Sequence, residues 1–420
     1  MTTDSTGTFI PAPASLDNPF YYLINARQVI DWCLLHYADL LLDDEIHLLE
    51  KLLALPENAQ GLLIRLIMRK GDLFRDDSLN YPEVGYGTKL RRASEQLQAS
   101  DLIDLCPRVS LPELTHLCRK PEALALLQYC HRRYSPPQIR PIAKHSKQDL
   151  LAFAEAVSDY LPEDERQQTL FDWWPAAAFQ LMQLRCGPLF ERLRLMFFGN
   201  LYQNWSEFVL AELGIQKYEH VAFTPESRAF RHRQEVDIYL ELYRVQQQLE
   251  IIKIKPEGSV SDPLKALVRS LERLALSHQN YLSDSGLQAS QWLQRRYQKT
   301  LFQLGHFAER LGFTELALCC YEKSQVDDAV IRRFRLMEKL ADNDRDYGIL
   351  FDEATSAFKL TDKPEQKLLL NRVLNRVARK LNKTVKSNKK VRLTEQHLTL
   401  QPDANRSVEP VLIDHLAEQG

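Results

Sequence analysis

Glycine is scarce in this 420-residue chain, with 14 in all. That is too few for an α/β enzyme built on glycine-rich phosphate loops, and no GxGxxG, Walker-type, HExxH or GxSxG motif occurs. Cysteine is sparing too. Seven residues, an odd number without a CxxC pair, argue against a disulfide framework or a structural zinc site. The adjacent Cys319 and Cys320 fall in a helical pattern and read as small buried thiols. A long apolar run is missing: Arg185, Glu191, Arg192, Arg194 and Glu207 interrupt the most apolar region, 170–213, so it cannot supply a membrane span. Met1 to Ser15 lacks the basic start and apolar centre of a secretion signal. These absences point to an intracellular protein in a reducing compartment, with no membrane partner. Charge of one sign is also missing. Lys plus Arg is 54 against 56 for Asp plus Glu, a net of −2, which excludes a wholly basic nucleic-acid binder but not a basic face.

What is present reads as helix, and the length predicts two or three domains. Asn18-Pro19 opens a helix whose apolar positions recur as Leu23, Ala26, Ile30, Cys33, Leu34, Tyr37 and Leu41. A second helix carries Leu55, Ala59, Leu62, Leu66 and Ile67 and ends in Arg69-Lys70-Gly71, cations on the dipole's negative end followed by a glycine cap. Phe74 to Tyr86 reads as a turn or small wing, and Thr88 starts another amphipathic stretch through Leu90 and Leu97. Three helices with a wing suit a winged-helix-like unit. A helical hairpin follows: Ser110 and Glu113 have capping-box spacing around Pro112, and Pro121 opens a second helix ending in His131-Arg132-Arg133. The Ser135-Pro136-Pro137 cluster and Pro141 mark a linker.

From Asp149 to about Tyr281 the pattern is helical but broken by Pro162, Pro175, Pro188, Pro225 and Pro256, with one short strand expected over 218–223. Leu304-Gly305, Ala308, Gly312, Ala317, Tyr321 and Ser324 then match a helix–turn–helix repeat of the tetratricopeptide type, with a weaker match over 327–360. The predicted fold is mainly α. Its parts are a disordered tail (1–17), a winged-helix-like domain (18–100), a hairpin with basic linker (101–148), an irregular repeat-like helical domain (149–365), and a basic linker with a lead-in helix (366–420).

Two basic tracts stand out. His131, Arg132, Arg133, Arg140, Lys144, His145 and Lys147 meet no acid between Glu122 and Asp149. Lys367, Arg372, Arg376, Arg379, Lys380, Lys383, Lys386, Lys389, Lys390 and Arg392 meet none between Glu365 and Glu395. Such clustering is what phosphate-backbone binding requires, since each cation near a phosphate releases a condensed counterion. Solvated helix faces give the same pattern. Scattered histidines such as His36 and His306 read as packed or solvent-facing rather than catalytic. Glu250 with Lys253 and Lys255 imitates the acidic-x-lysine strand of a metal-dependent nuclease. Residues three apart point oppositely on a strand, however, and the preceding 240–249 reads as helix.

The runs Asn18-Pro-Phe-Tyr-Tyr-Leu-Ile-Asn25, Tyr37-Ala-Asp-Leu-Leu, Ala59-Gln60, Leu62 to Arg75 and Leu79-Asn-Tyr-Pro-Glu83 closely resemble the opening of bacterial members of the Fanconi-anaemia-associated nuclease family. The resemblance implies a winged-helix-like domain, a SAP-type DNA-binding hairpin at Ser110 to Lys120, a tetratricopeptide-like domain and a C-terminal VRR-type nuclease domain. It implies cleavage of branched and 5′-flapped DNA with Mg²⁺ or Mn²⁺, of phosphodiesterase I type, in interstrand-crosslink repair, by a cytoplasmic, nucleoid-associated bacterial protein. Ser407 to Gly420 looks like the helix leading into the nuclease domain, so the family's catalytic acids and lysine would follow Gly420. No catalytic or metal-binding residue and no cofactor is therefore assigned within 1–420. The DNA contacts fall to Arg132, Arg133, Arg140, Lys144 and Lys147 beside the hairpin. Arg65, Arg69, Lys70, Arg91 and Arg92 join them from the winged-helix-like unit. The alternatives are a scaffold binding a protein partner on its repeat-like surface, and an active nuclease whose catalytic domain is supplied separately.

Overall fold

A computed structural model describes residues 17–137, 140–205, 224, 227–254, 260–282 and 291–383, with single positions at 409, 412 and 413. The strand expected over 218–223, Lys255, and the second basic tract from Lys386 onward lie outside the described residues. The described chain is mainly helical and divides into two compact units, one through Lys323 and one from Ser324.

The first unit opens with α1 (Tyr21–Tyr37), where the Asn18 side chain accepts the Phe20 N–H at 2.9 Å. Next comes α2 (Asp43–Ala54), which the apolar spacing had not singled out, and then α3 (Glu57–Ile67). Helix α3 stops short of the expected Arg69-Lys70-Gly71; Gly71 lies beyond it with φ +92°, where a side chain would be strained. The segment read as a turn or small wing holds the end of β1 (Leu73–Arg75) and a short 3₁₀ turn, followed by α4 (Thr88–Ala99) and β2 (Ile103–Asp104).

The strand that completes this sheet comes from far along the chain. β1 and β2 each pair antiparallel with Leu181–Leu184, through Leu73–Gln183, Arg75–Leu181 and Ile103–Leu184, in a region expected to be helical. Three helices, a strand, one helix and two further strands, with the last strand central, give the strand order of a winged helix. Here the wing between the second and third strands is replaced by roughly seventy-five residues with a core of their own. Those residues form β3 (Val109–Ser110), α5 (Leu111–Leu117), α6 (Lys120–Tyr134), α7 (Lys147–Tyr160), β4 (Gln167–Gln168) and α8 (Leu170–Trp173), and the chain then returns as β5 (Leu181–Leu184). The sheet thus joins residues on both sides of the expected boundaries at 100 and 148.

The expected capping box is present on α5: Glu113 N–H donates to Ser110 Oγ at 3.3 Å and Ser110 N–H to Glu113 Oε2 at 2.8 Å. Trp173 is fully buried among Leu111, Leu114, Leu127 and Leu150, and its indole N–H donates to the Val109 carbonyl at 2.8 Å.

After β5, α9 (Gly187–Phe198), α10 (Arg233–Ile254), α11 (Ser261–Ser277) and α12 (Gln279–Leu282) share the core of α1 and α3. The predicted helical hairpin follows as α13 (Gln291–Arg310) and α14 (Thr314–Lys323), with Gly312 at φ +83° in its turn. A Cβ built on Gly305 would come within 2.9 Å of both Cys320 Cβ and the Tyr321 ring. Gly305→Ala is therefore expected to cost about 1–3 kcal/mol through overpacking, read as a lowered denaturant midpoint. An unchanged midpoint would show that the helices part freely there.

The second unit is a three-helix arrangement of α15 (Asp327–Leu340), α16 (Asp344–Leu360) and α17 (Pro364–Lys380) around Phe334, Leu350, Leu370, Val373 and Val377. No helix among the described residues is long and apolar enough to cross a membrane.

Candidate nucleic-acid interface

The inserted unit brings the first basic tract onto one stretch of surface. Helix α6 ends at Ser135, held left-handed at φ 47°, and so presents Arg132 and Arg133 at its carbonyl end, where cations oppose the dipole favourably. The linker does not wander from this helix, because Gln128 donates to the Pro141 carbonyl at 3.0 Å and fixes Arg140 one residue from that anchor. Ser146 then caps α7, accepting the Asp149 N–H at 3.1 Å, and Lys144 stands just before the cap. Among the described residues Arg132, Arg140 and Lys144 are exposed and make no ion pair. Their charge is available to an outside anion.

Lys147 is not available in the same way. Its ammonium donates to the carbonyls of Thr115 and Cys118, closing the end of α5. Burial pushes its pKa below the usual lysine range and nearby Arg75 adds to this, while the Cys118 and Glu122 charges oppose it. Lys147 is therefore a positioning residue that joins α7 to α5. Arg133 is exposed but donates to the Asp172 carbonyl and lies over the Tyr134 ring at 5.0 Å, so it is partly engaged.

The winged-helix-like cations divide similarly. Arg65 donates to Glu83 through Nε at 2.8 Å and Nη2 at 2.7 Å and stacks on Tyr22 at 3.9 Å, so it holds α3 to the following turn. Arg91 pairs with Glu95 at 3.0 Å along α4, an exposed i,i+4 pair of small energetic consequence. Arg69, Lys70 and Arg92 are exposed without ion pairs among the described residues. Lys89, absent from the sequence-derived set, is exposed three residues before Arg92 on the same helix. The i,i+3 spacing on an amphipathic helix was the signal that could have found it.

A cleft of about 800 Å³ lies between α4 and the inserted unit, lined among others by Asp76, Asp77, Tyr86, Leu90, Arg91, Glu95, Phe171 and Phe179. Three acids against one already paired arginine make it unsuited to phosphate. Mg²⁺ or Mn²⁺, which the family resemblance implies, finds no fitting set of His, Cys, Asp and Glu among the described residues. The nuclease imitation at Glu250 lies on helix α10, where Lys253 simply pairs with Glu250 at 2.6 Å.

Residues 20–104 match the family model described as "FAN1, HTH domain". The chain is 37% identical over 330 residues to the Fanconi-associated nuclease 1 homolog of Pseudomonas aeruginosa, which covers 79% of this chain and 52% of that protein. It is 23% identical over 237 residues to the homolog of Oryza sativa subsp. japonica, or 54% of this chain and 23% of that protein. The chain thus spans about half the length of the bacterial relative and about a quarter of the plant one. Two crystal structures of paFAN1, bound to 5′-flap DNA with a gap, share the fold at 32% identity. With the 2-nucleotide flap the TM-score is 0.69, covering 96% of this chain and 66% of that one; with the 1-nucleotide flap it is 0.70, covering 95% and 66%. Residues 20–104 thus match the helix-turn-helix domain of the Fanconi-associated nuclease 1 family, and the chain is similar to members of that family in sequence and in fold.

Proposed function

We propose that this chain supplies the DNA-binding surface of a structure-specific repair nuclease and engages branched, 5′-flapped duplexes. The observation that carries the reading is its likeness, over 96% of its length, to a relative crystallised on 5′-flap DNA. The unpaired cations support it. Arg132, Arg140 and Lys144 contact backbone phosphates beside the hairpin, Arg69, Lys70 and Arg92 add contacts from the winged-helix-like unit, and Arg65 and Lys147 hold the frame. Such contacts set position and affinity and read shape rather than base sequence. Cleavage, with Mg²⁺ or Mn²⁺ and of phosphodiesterase I type, is assigned to residues outside those described. The setting is interstrand-crosslink repair at the nucleoid, in the bacterial cytoplasm.

The test is a salt titration of binding to 5′-flapped, nicked and linear duplexes. The flapped substrate should bind most tightly, with log K falling linearly against log salt. The combined Arg132→Gln, Arg140→Gln and Lys144→Gln variant should lower that slope by about 2.7, roughly 0.9 per contact. Equal affinity for the three substrates, or a flat salt dependence, overturns the reading. Incubating the chain with labelled flap DNA and Mg²⁺ or Mn²⁺ should leave the DNA intact; specific cutting would overturn the assignment of cleavage.

A further inference from the structure

The second unit carries a basic face that the surface described above does not include. On α17 the buried positions are Leu370, Val373, Leu374, Val377 and Ala378. Arg372, Arg376 and Arg379 recur at i, i+4 and i+7 on the opposite side, with Lys380 beside them. A seven-residue step places Arg372 and Arg379 about 10 Å apart along the helix. Helix α15 packs alongside and shows Arg335 and Lys339 to solvent, one turn apart. The acid between the two helices, Glu338, is already held by Arg376 through Nε at 2.8 Å and Nη2 at 2.6 Å. Its charge is neutralised, and the pair ties α15 to α17. Arg335, Lys339, Arg372, Arg379 and Lys380 are exposed and make no ion pair among the described residues. Five uncompensated cations on two adjoining helices repel one another unless an extended anion lies across them.

We infer that this face of the second unit is a second nucleic-acid backbone site, contacting phosphates through Arg372, Arg379 and Lys380 of α17 with Arg335 and Lys339 of α15. The inference rests on the reading that the chain binds DNA. An anionic membrane is the other extended anion to consider. A helix lying in a bilayer surface needs its apolar face free to insert, whereas the apolar face of α17 is buried in the bundle. Duplex backbone asks only for spaced, solvent-facing cations.

The experiment compares the full chain with Arg372→Gln, Arg379→Gln and Lys380→Gln combined, and separately with Arg335→Gln and Lys339→Gln. Arg376 is left in place so that the helices stay tied, and thermal melting confirms folding. On the flapped duplex the triple variant should lower the salt slope by about 2.7 and weaken binding roughly a hundredfold near physiological salt. The double variant should lower the slope by about 1.8. If both variants keep the wild-type slope while the Arg132, Arg140 and Lys144 variant loses its share, the second site is refuted and the DNA-binding reading survives. If the wild type itself shows no salt slope, both fail. Loss of binding to phosphatidylserine–phosphatidylcholine vesicles with an unchanged DNA slope would assign the face to a membrane and also refute the inference.

Discussion

Arg75→Ala is expected to destabilise the first unit by about 3–5 kcal/mol, the range for stripping one partner from a buried ion-pair network. Arg75 is only 6% exposed and uses all five of its N–H groups. Nε and Nη2 reach Asp77 at 2.9 and 2.7 Å, Nη1 and Nη2 reach Glu122 at 2.5 and 2.9 Å, and Nη1 also reaches the Leu117 carbonyl at 3.3 Å. Its Cζ lies 3.7 Å from the centre of the Phe179 ring. One side chain on β1 therefore holds α5, α6 and the return to β5, which is the attachment of the insertion to its host sheet. Arg75→Lys should recover little, because an ammonium cannot reproduce a planar fork serving two carboxylates. Urea unfolding at pH 7 checks both; a loss under 1 kcal/mol for alanine would show the network to be dispensable.

The same contact predicts a pH dependence. The side-chain hydrogen bond from Arg75 is the largest influence on Glu122. Burial opposes it, the Arg119 N–H adds to it, and together they hold the Glu122 carboxyl down at about 2 against an ordinary 4.5. A depressed folded-state pKa gives stability that is complete above about pH 4.5 and is lost as pH falls toward 2. The acid limb of the wild-type stability curve should flatten over that window in Arg75→Ala. Retention of the full limb would place the acid sensitivity elsewhere.

The helices were largely legible because each carries many residues of one period and its own punctuation, such as Asn18 before α1 and Ser110 with Glu113 on α5. The sheet was not. Its strands are three, two and four residues long, too short for alternation to register, and Leu181–Leu184 pairs with partners about eighty and one hundred residues earlier. Leu-Met-Gln-Leu in an apolar region carries no mark that separates strand from helix, so the insertion could not be seen as one. The basic tracts showed where charge lies but not which charges are already matched. Glu83 lies eighteen residues from Arg65, and the carbonyls that bind Lys147 lie about thirty residues before it. Only the folded chain separates the cations that hold the frame from those that face solvent.

A second such frame residue is Glu45, and Glu45→Ala should cost a similar amount, about 3–5 kcal/mol. Glu45 sits in the first turn of α2 and accepts the Leu42 N–H at 2.9 Å. Arg233 of α10 donates to it at 2.6 and 3.0 Å, and Arg192 of α9 donates to it as well. Burial pushes its carboxyl up, but Arg233, the Leu42 N–H and Arg192 together more than offset this and leave it below the usual carboxylate range. Its contribution is therefore present at neutral pH and lost in acid as it protonates. Alanine would leave two guanidinium groups, 13% and 18% exposed, with Asp237, itself 40% exposed, as their one charged partner among the described residues. Glu45→Gln should fall between the two, keeping an acceptor for one arginine and losing the charge that satisfies both. None of this touches Arg132, Arg140 or Lys144. At a temperature where the variant remains folded, the salt slope of DNA binding should equal that of the wild type, because the slope counts phosphate contacts and not stability. A changed slope would mean that Glu45 and its arginines take part in the interface rather than in the frame behind it.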